Sequence, residues 1–269
     1  MLVDHDLHVH TYLSSCCSDR EATPANIVAR AAEAGLRTLG FADHLWDRSV
    51  PGAMDWYVPQ DLPRLLETRG HLPGDRRGVR VLVGCETEYC GGGKVGISAA
   101  AAEQLDFVLI PVTHFHMKGF VAPADLSEPR DVARLMVRRF NEAVTLGLAT
   151  GIAHPFVPCG FSDYTDAILA EVSGSELLDS FGRAAQAGIS IEMSTCMFPG
   201  ACGTVRDGFH DETFLRVLAL ARQAGCWFHF ASDAHTLQAV GSVTRLEPYA
   251  RAIGLTRQDI LPRLRIAGG

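Results

Sequence analysis

Phe107-Val108-Leu109-Ile110-Pro111-Val112-Thr113-His114 is a run of large and β-branched apolar side chains that ends on an imidazole. It lacks the apolar-polar alternation of a strand with one wet face. It fits a strand covered on both faces, as in a parallel sheet packed between helices. Working outward, strand-like runs recur at 6–10, 38–44, 79–88, 149–154, 189–194 and 227–233. Helical patterns fall between them at 24–34, 130–145, 175–187 and 212–224. Thr23-Pro24 reads as an N-cap followed by proline in the first turn. Gly35, Gly147, Gly188 and Gly225 stand just past helical patterns, where a C-terminal cap favours glycine. This β-α alternation, without a Pro/Ser-rich linker, predicts one α/β domain over residues 1–269. A distorted TIM-like (β/α)7 barrel is the expected architecture, and an open doubly wound sheet is the alternative, because periodicity does not report closure.

The chain has 269 residues, 47% of them hydrophobic, enough for a substantial core. Its net charge is −7 and it has no Lys/Arg-rich run, which argues against long nucleic acid as a partner. No apolar run reaches the roughly 18 residues of a membrane span. Met1-Leu2-Val3-Asp4-His5 has neither the basic start nor the apolar centre of a signal peptide, so a cytoplasmic location is expected. Eight cysteines in such a chain are expected as reduced thiols. The oligomeric state is not legible.

Histidines carry the chemistry. His8 and His10 close the first strand as His-x-His, and residues two apart on a strand share a face. His44 ends the second strand, Glu86 lies near the end of the third, His114 ends the fourth and His154 the fifth. Asp233 and His235 end the seventh with the same two-residue spacing. In a parallel barrel this C-terminal face is where active sites form. Packing alone gives no reason to repeat imidazoles at strand ends, so the pattern points to a shared metal site.

These residues resemble the PHP (polymerase and histidinol phosphatase) domain family. The matching pieces are Asp6-Leu7-His8-Val9-His10-Thr11, Ala42-Asp43-His44, Gly84-Cys85-Glu86, His114-Phe115, Ala153-His154-Pro155, Ile191-Glu192 and Ser232-Asp233-Ala234-His235. They follow the family's order along nearly the whole chain. The resemblance implies three divalent ions, zinc, manganese or iron. His8, His10, Glu86 and Asp233 would hold one, and Glu86 with His114 and His154 a second. His44 and His235 would hold the third, with one residue from the loop after the first strand. There the sequence departs from the pattern: Asp19 is the expected ligand, Cys16 its rival as a thiolate, and neither binding is the remaining reading. Glu192 is expected beside the ligands, holding them in place.

The implied activity is hydrolysis of a small-molecule phosphate monoester by a metal-activated hydroxide, with Glu86, Asp233 and His235 as the candidate catalytic residues. Histidinol phosphate is a natural candidate substrate, although the motifs do not select it. A nuclease or nucleotide phosphodiesterase of the same family is the alternative. An amidohydrolase-like C–N hydrolase and a non-catalytic metal-binding domain are further ones. The two lysines, Lys94 and Lys118, follow strand-end ligands and are candidate phosphate contacts, as is Arg206. His116 is a candidate substrate contact, and the loop with Trp46, Trp56 and Tyr57 either covers substrate or packs on the domain. His229 is expected in the core, and His5, His71 and His210 in solvent.

Overall fold

Apolar runs of this kind can satisfy their backbone only against one another, and in the folded chain they do so in parallel. A computed structural model describes residues 1–204 and 207–265. The first units are β1 (His5–Val9), α1 (Pro24–Glu33), β2 (Thr38–Phe41), α2 (Leu62–Gly70) and β3 (Arg80–Val83). Next come β4 (Cys85–Glu86), the hairpin β5 (Tyr89–Gly91) and β6 (Lys94–Val95), α3 (Ala99–Ala102), β7 (Val108–Pro111) and α4 (Pro129–Ala143). The chain continues through β8 (Gly151–Ala153), α5 (Thr165–Ala170), α6 (Gly174–Gln186), β9 (Ser190–Ser194) and α7 (Pro199–Cys202). It closes with α8 (Asp211–Gln223), β10 (Phe228–Ala231) and α9 (Glu247–Ala252). The result is a mixed α/β domain.

Two parallel sheets form, ordered β1-β2-β3 and β10-β9-β8-β7-β4. Each of the seven sequence-read strands has a counterpart, but the third is broken. A Cβ at Gly84 would sit 2.4 Å from the Phe107 carbonyl oxygen, so only glycine permits this approach. At that point the chain leaves the first sheet and joins the second. The His44–Glu86 bridge spans the break.

The other junction lies between β1 and β10. Here side chains stand in for ladder partners: Phe230 N donates to His5 Nε2 at 3.0 Å, and Ser232 N to Asp6 Oδ1 at 2.9 Å. Beyond them Asp233 N donates to the His8 carbonyl and His10 N to the Ala234 carbonyl. His5 is therefore buried within β1, not solvated as its place in the sequence suggests. Burial pushes the Asp6 carboxyl up to about 7, against the pull of its hydrogen bonds.

The helices cap as expected. Thr23 Oγ1 accepts from Asn26 N, and Gly35, Gly147, Gly188 and Gly225 all have positive φ. Every residue of β1, β2, β7, β8, β9 and β10 is buried, and α4 turns Val132, Leu135, Met136, Phe140 and Ala143 toward the same core. All eight cysteines are free thiols. Among the described residues no helix is long and apolar enough to cross a membrane.

Candidate metal centre

Glu86 is the focus. Its buried carboxylate has imidazoles on both oxygens: His154 Nε2 and His114 Nε2 lie 3.1 and 3.7 Å from Oε1. His8 Nε2, His10 Nε2 and His44 Nδ1 lie 3.3, 3.5 and 3.3 Å from Oε2. Asp233 Oδ1 is 3.5 Å from His8 Nε2, 3.3 Å from His10 Nε2 and 3.7 Å from His235 Nδ1. Among the described residues no Lys or Arg forms an ion pair with either carboxylate. Strand alternation accounts for His8 and His10, whose Nε2 atoms face each other at 3.2 Å. His154 and Asp233 reach the cluster through left-handed backbone, φ +26 and +54, a strain that only surrounding structure can hold in a non-glycine residue.

Four groups of donor atoms lie within 4.8 Å of one another: His8, His10 and Asp233; His8, Glu86 and His154; His10, Cys16, His44 and His235; His114, His154 and Cys159. His10 Nδ1, His44 Nδ1, His154 Nδ1 and Asp233 Oδ1 are buried without a hydrogen-bond partner. Buried polar atoms are seldom left so, and a cation among them would satisfy several at once. The charges agree. Burial opposes ionisation of Glu86, yet the charge of His8 and hydrogen bonds from His154 and His8 hold it well below the usual range. Asp233, also opposed by burial, is held well below by His8, His10 and His235. Burial, reinforced by His235, drops His10 to about 4, and burial keeps His44 well below its ordinary value. Burial is outweighed at His8 by Glu192, Glu86 and Asp233, and at His114 by Glu88, which brings it up to about 9. The carboxylates thus favour protons on His8 and His114, and metal ions would displace them. The mixed imidazole and carboxylate donors suit zinc, manganese or iron, so the residues fit the implied ions.

Two buried glutamates orient the imidazoles of the cluster. Glu192 Oε2 accepts from His8 Nδ1 (3.0 Å) and His229 Nε2 (3.2 Å), and Oε1 accepts from His154 N (3.0 Å). Burial opposes its charge, but His8 and His229 bring its carboxyl down to about 2. Glu88 Oε1 accepts from His114 Nδ1 and Tyr57 OH, both at 2.6 Å. Sequence reasoning missed Glu88, although Glu86-x-Glu88 repeats the spacing that marked His8-x-His10. It also missed Cys159, which sits in a loop without periodicity. Asp43 Oδ1 and Oδ2 accept from Thr11 N and Thr11 Oγ1, bracing the turn after β1.

Other expected residues fall elsewhere. Asp19 belongs to none of the donor groups; its carboxylate accepts from Glu21 N (2.9 Å) and Leu237 N (2.8 Å), tying together the loops after β1 and β10. Lys94 Nζ donates to the Gly52 carbonyl and lies over the Trp46 and Phe120 rings. Lys118 Nζ donates to the Leu126 carbonyl and lies over Phe161. Arg206 lies outside the described residues. His116 does border the cleft above the cluster, a space of about 500 Å³. Met54, Trp56, Tyr57 and Met117 give that cleft an apolar wall, while Trp46 is packed in the core. His229 is buried as expected, and His71 and His210 are exposed. Burial holds the Cys16, Cys159 and Cys196 thiols well above their ordinary value, so none is a ready nucleophile.

Residues 6–195 match the family model of the PHP domain. A probable phosphatase of Aliivibrio fischeri (strain MJ11) is 24% identical, spanning 100% of this chain and 95% of that protein. The histidinol phosphate phosphatase of Lactococcus lactis subsp. lactis Il1403, solved with zinc, L-histidinol and phosphate, aligns with a TM-score of 0.65 at 16% identity. That alignment covers 94% of this chain and 95% of the other, and it shows a common fold. The family match runs over more than half of the chain and includes the strands that carry His8 through Glu192; this protein belongs to the PHP domain family.

Proposed function

We propose that this metal-dependent phosphoesterase hydrolyses phosphate monoesters of small molecules at a centre of three divalent ions. The observation that carries the reading is the Glu86 carboxylate, with imidazoles at both oxygens and no Lys or Arg paired with it among the described residues. His8, His10, Glu86 and Asp233 would hold one ion, and Glu86, His114 and His154 a second. His44 and His235 would hold the third with a residue of the loop after β1. All of residues 1–269 would act as one cytoplasmic domain. We infer a distorted seven-unit barrel, supported by the Val9–Ala234 and His44–Glu86 bridges at the two junctions between sheets.

Such ions supply Lewis acidity toward a phosphoryl oxygen and lower the pKa of water. The chain's own residues do the rest. Glu192 and Glu88 hold His8 and His114 with Nε2 toward Glu86, the orientation in which they would bind cations. Met54, Trp56 and Met117 form an apolar wall for the leaving group and exclude water beside it. His116, kept neutral by burial and by its neighbour His114, borders the cleft as a substrate contact. Histidinol phosphate fits this description, since an imidazole could stack on Trp56. Lys94 and Lys118, engaged elsewhere, are left out.

The test is elemental analysis of protein purified without chelator, with phosphate release assayed on histidinol phosphate, mononucleotides, sugar phosphates and an aryl phosphate. About three ions per chain and turnover lost in His10→Ala and Asp233→Ala are expected. Metal without any monoester turnover would refute the activity, and no stoichiometric metal after reloading would refute the centre.

A further inference from the structure

The loop after β1 brings a thiol to the place where a carboxylate is expected. Cys16 Sγ lies within 4.8 Å of donor atoms on His10, His44 and His235. Independently of the sulfur, His44 Nδ1 and His10 Nδ1 are buried without hydrogen-bond partners. The other candidate, Asp19, has both carboxylate oxygens engaged by backbone amides. The loop is also pinned, so the thiol is held there by more than chance. Ser15 N and Ser14 Oγ donate to Gln60 Oε1 at 2.8 and 3.1 Å, and Ser14 Oγ accepts from His44 N. Cys16 borders the cleft, with its Sγ 3.2 Å from Ser14 Oγ.

We propose that Cys16 is the anionic ligand of the ion held by His44 and His235, and that its thiolate makes this position select zinc over manganese. The inference rests on the metal centre proposed above. Binding is simple ligand exchange: the S–H proton leaves to solvent, a sulfur–metal bond forms, and nothing is oxidised. Manganese favours carboxylate and water oxygen, whereas a soft thiolate with imidazoles favours zinc. A carboxylate at the same place would remove that preference.

The test loads the full chain with cobalt(II), whose thiolate bond gives a charge-transfer absorption in the near ultraviolet. Wild type is expected to show this band. Cys16→Ser should lose the band and bind about one ion fewer per chain, while Asp19→Asn and Cys159→Ser keep both. Cys16→Asp should keep the ion count without the band and exchange that ion for manganese far more readily than wild type does. A full cobalt complement without a band overturns the inference, as does a band that survives Cys16→Ser. Loss of an ion in Asp19→Asn, with none lost in Cys16→Ser, overturns it as well. Failure to bind cobalt at all instead overturns the underlying metal centre, and the inference falls with it.

Discussion

Replacing Glu192 by glutamine keeps the shape of a fully buried side chain and removes its charge. Glu192 Oε2 serves two imidazoles, His8 at 3.0 Å and His229 at 3.2 Å, while Oε1 takes the His154 amide at 3.0 Å. An amide has one oxygen. If it stays on the His154 amide, its NH2 meets N–H groups on both imidazoles. At least one charge-assisted hydrogen bond is lost, at about 1.5–3 kcal/mol. His8 then has less reason to present Nε2 to Glu86 and Asp233. At about 1.4 kcal/mol per tenfold, metal affinity should fall by roughly 10- to 100-fold, the range typical when an orienting partner is lost. Competition against a calibrated chelator measures this, with circular dichroism as the control for folding. Ser190→Ala removes the 2.9 Å contact with His229, one step further from the ions, and should cost less than about threefold. A folded Glu192→Gln protein with affinity within about twofold of wild type would refute the argument.

Trp56 borders the cleft with its ring edge-on to His44, so Trp56→Ala should raise KM for the best monoester with kcat nearly unchanged; a fall in kcat alone would count against a leaving-group wall. Lys94→Met and Lys118→Met should leave KM within about twofold, because both ammonium groups are committed to carbonyls and ring faces. A large rise in KM would return them to the phosphate. Burial works against the Asp4 carboxylate, but His5 and Arg257 together hold its pKa below the ordinary value. A depressed pKa contributes stability above the unfolded value of about 3.8 that is lost as pH falls through the folded one. Arg257→Ala should therefore lower the melting temperature at neutral pH and narrow the gap to wild type in acid. A gap independent of pH would show that the ion pair is not the cause.

Much of this was legible because the two periods of the chain are chemically enforced. Doubly buried strands must read as apolar runs, and Phe107 to Ile110 did. Strand alternation exposed His8-x-His10, whereas Asp233-x-His235 shares the spacing but lies past the end of β10, with Asp233 in left-handed backbone. What stayed hidden depends on partners far away in sequence. The break at Gly84 goes with a close approach of the Phe107 carbonyl that only glycine admits, and nothing in Val-Gly-Cys-Glu announces it. His5 looked like a turn residue because its acceptor role is set by Phe230, across the junction of the sheets. The loops of Lys94 and Lys118 suggested a phosphate contact, but where a flexible ammonium group rests is decided by the carbonyls and rings it can reach, Gly52 with Trp46 and Phe120 for one and Leu126 with Phe161 for the other. Asp19 and Cys16 share one loop, and only the folded loop separates a donor-group member from a brace.

The junction between β1 and β10 has a consequence for biosynthesis. Ser232 N meets Asp6 Oδ1 across 226 residues of chain, and the donors beside it come from His8, His10, Asp233 and His235. His8 and His10 leave the ribosome long before Asp233 and His235 exist, and contacts of such sequence separation slow folding. A nascent chain stalled before Asp233 would carry the His8, Glu86 and His154 group complete but His8 and His10 without their aspartate, so on the proposed centre its ions would be captured in stages as the chain emerges.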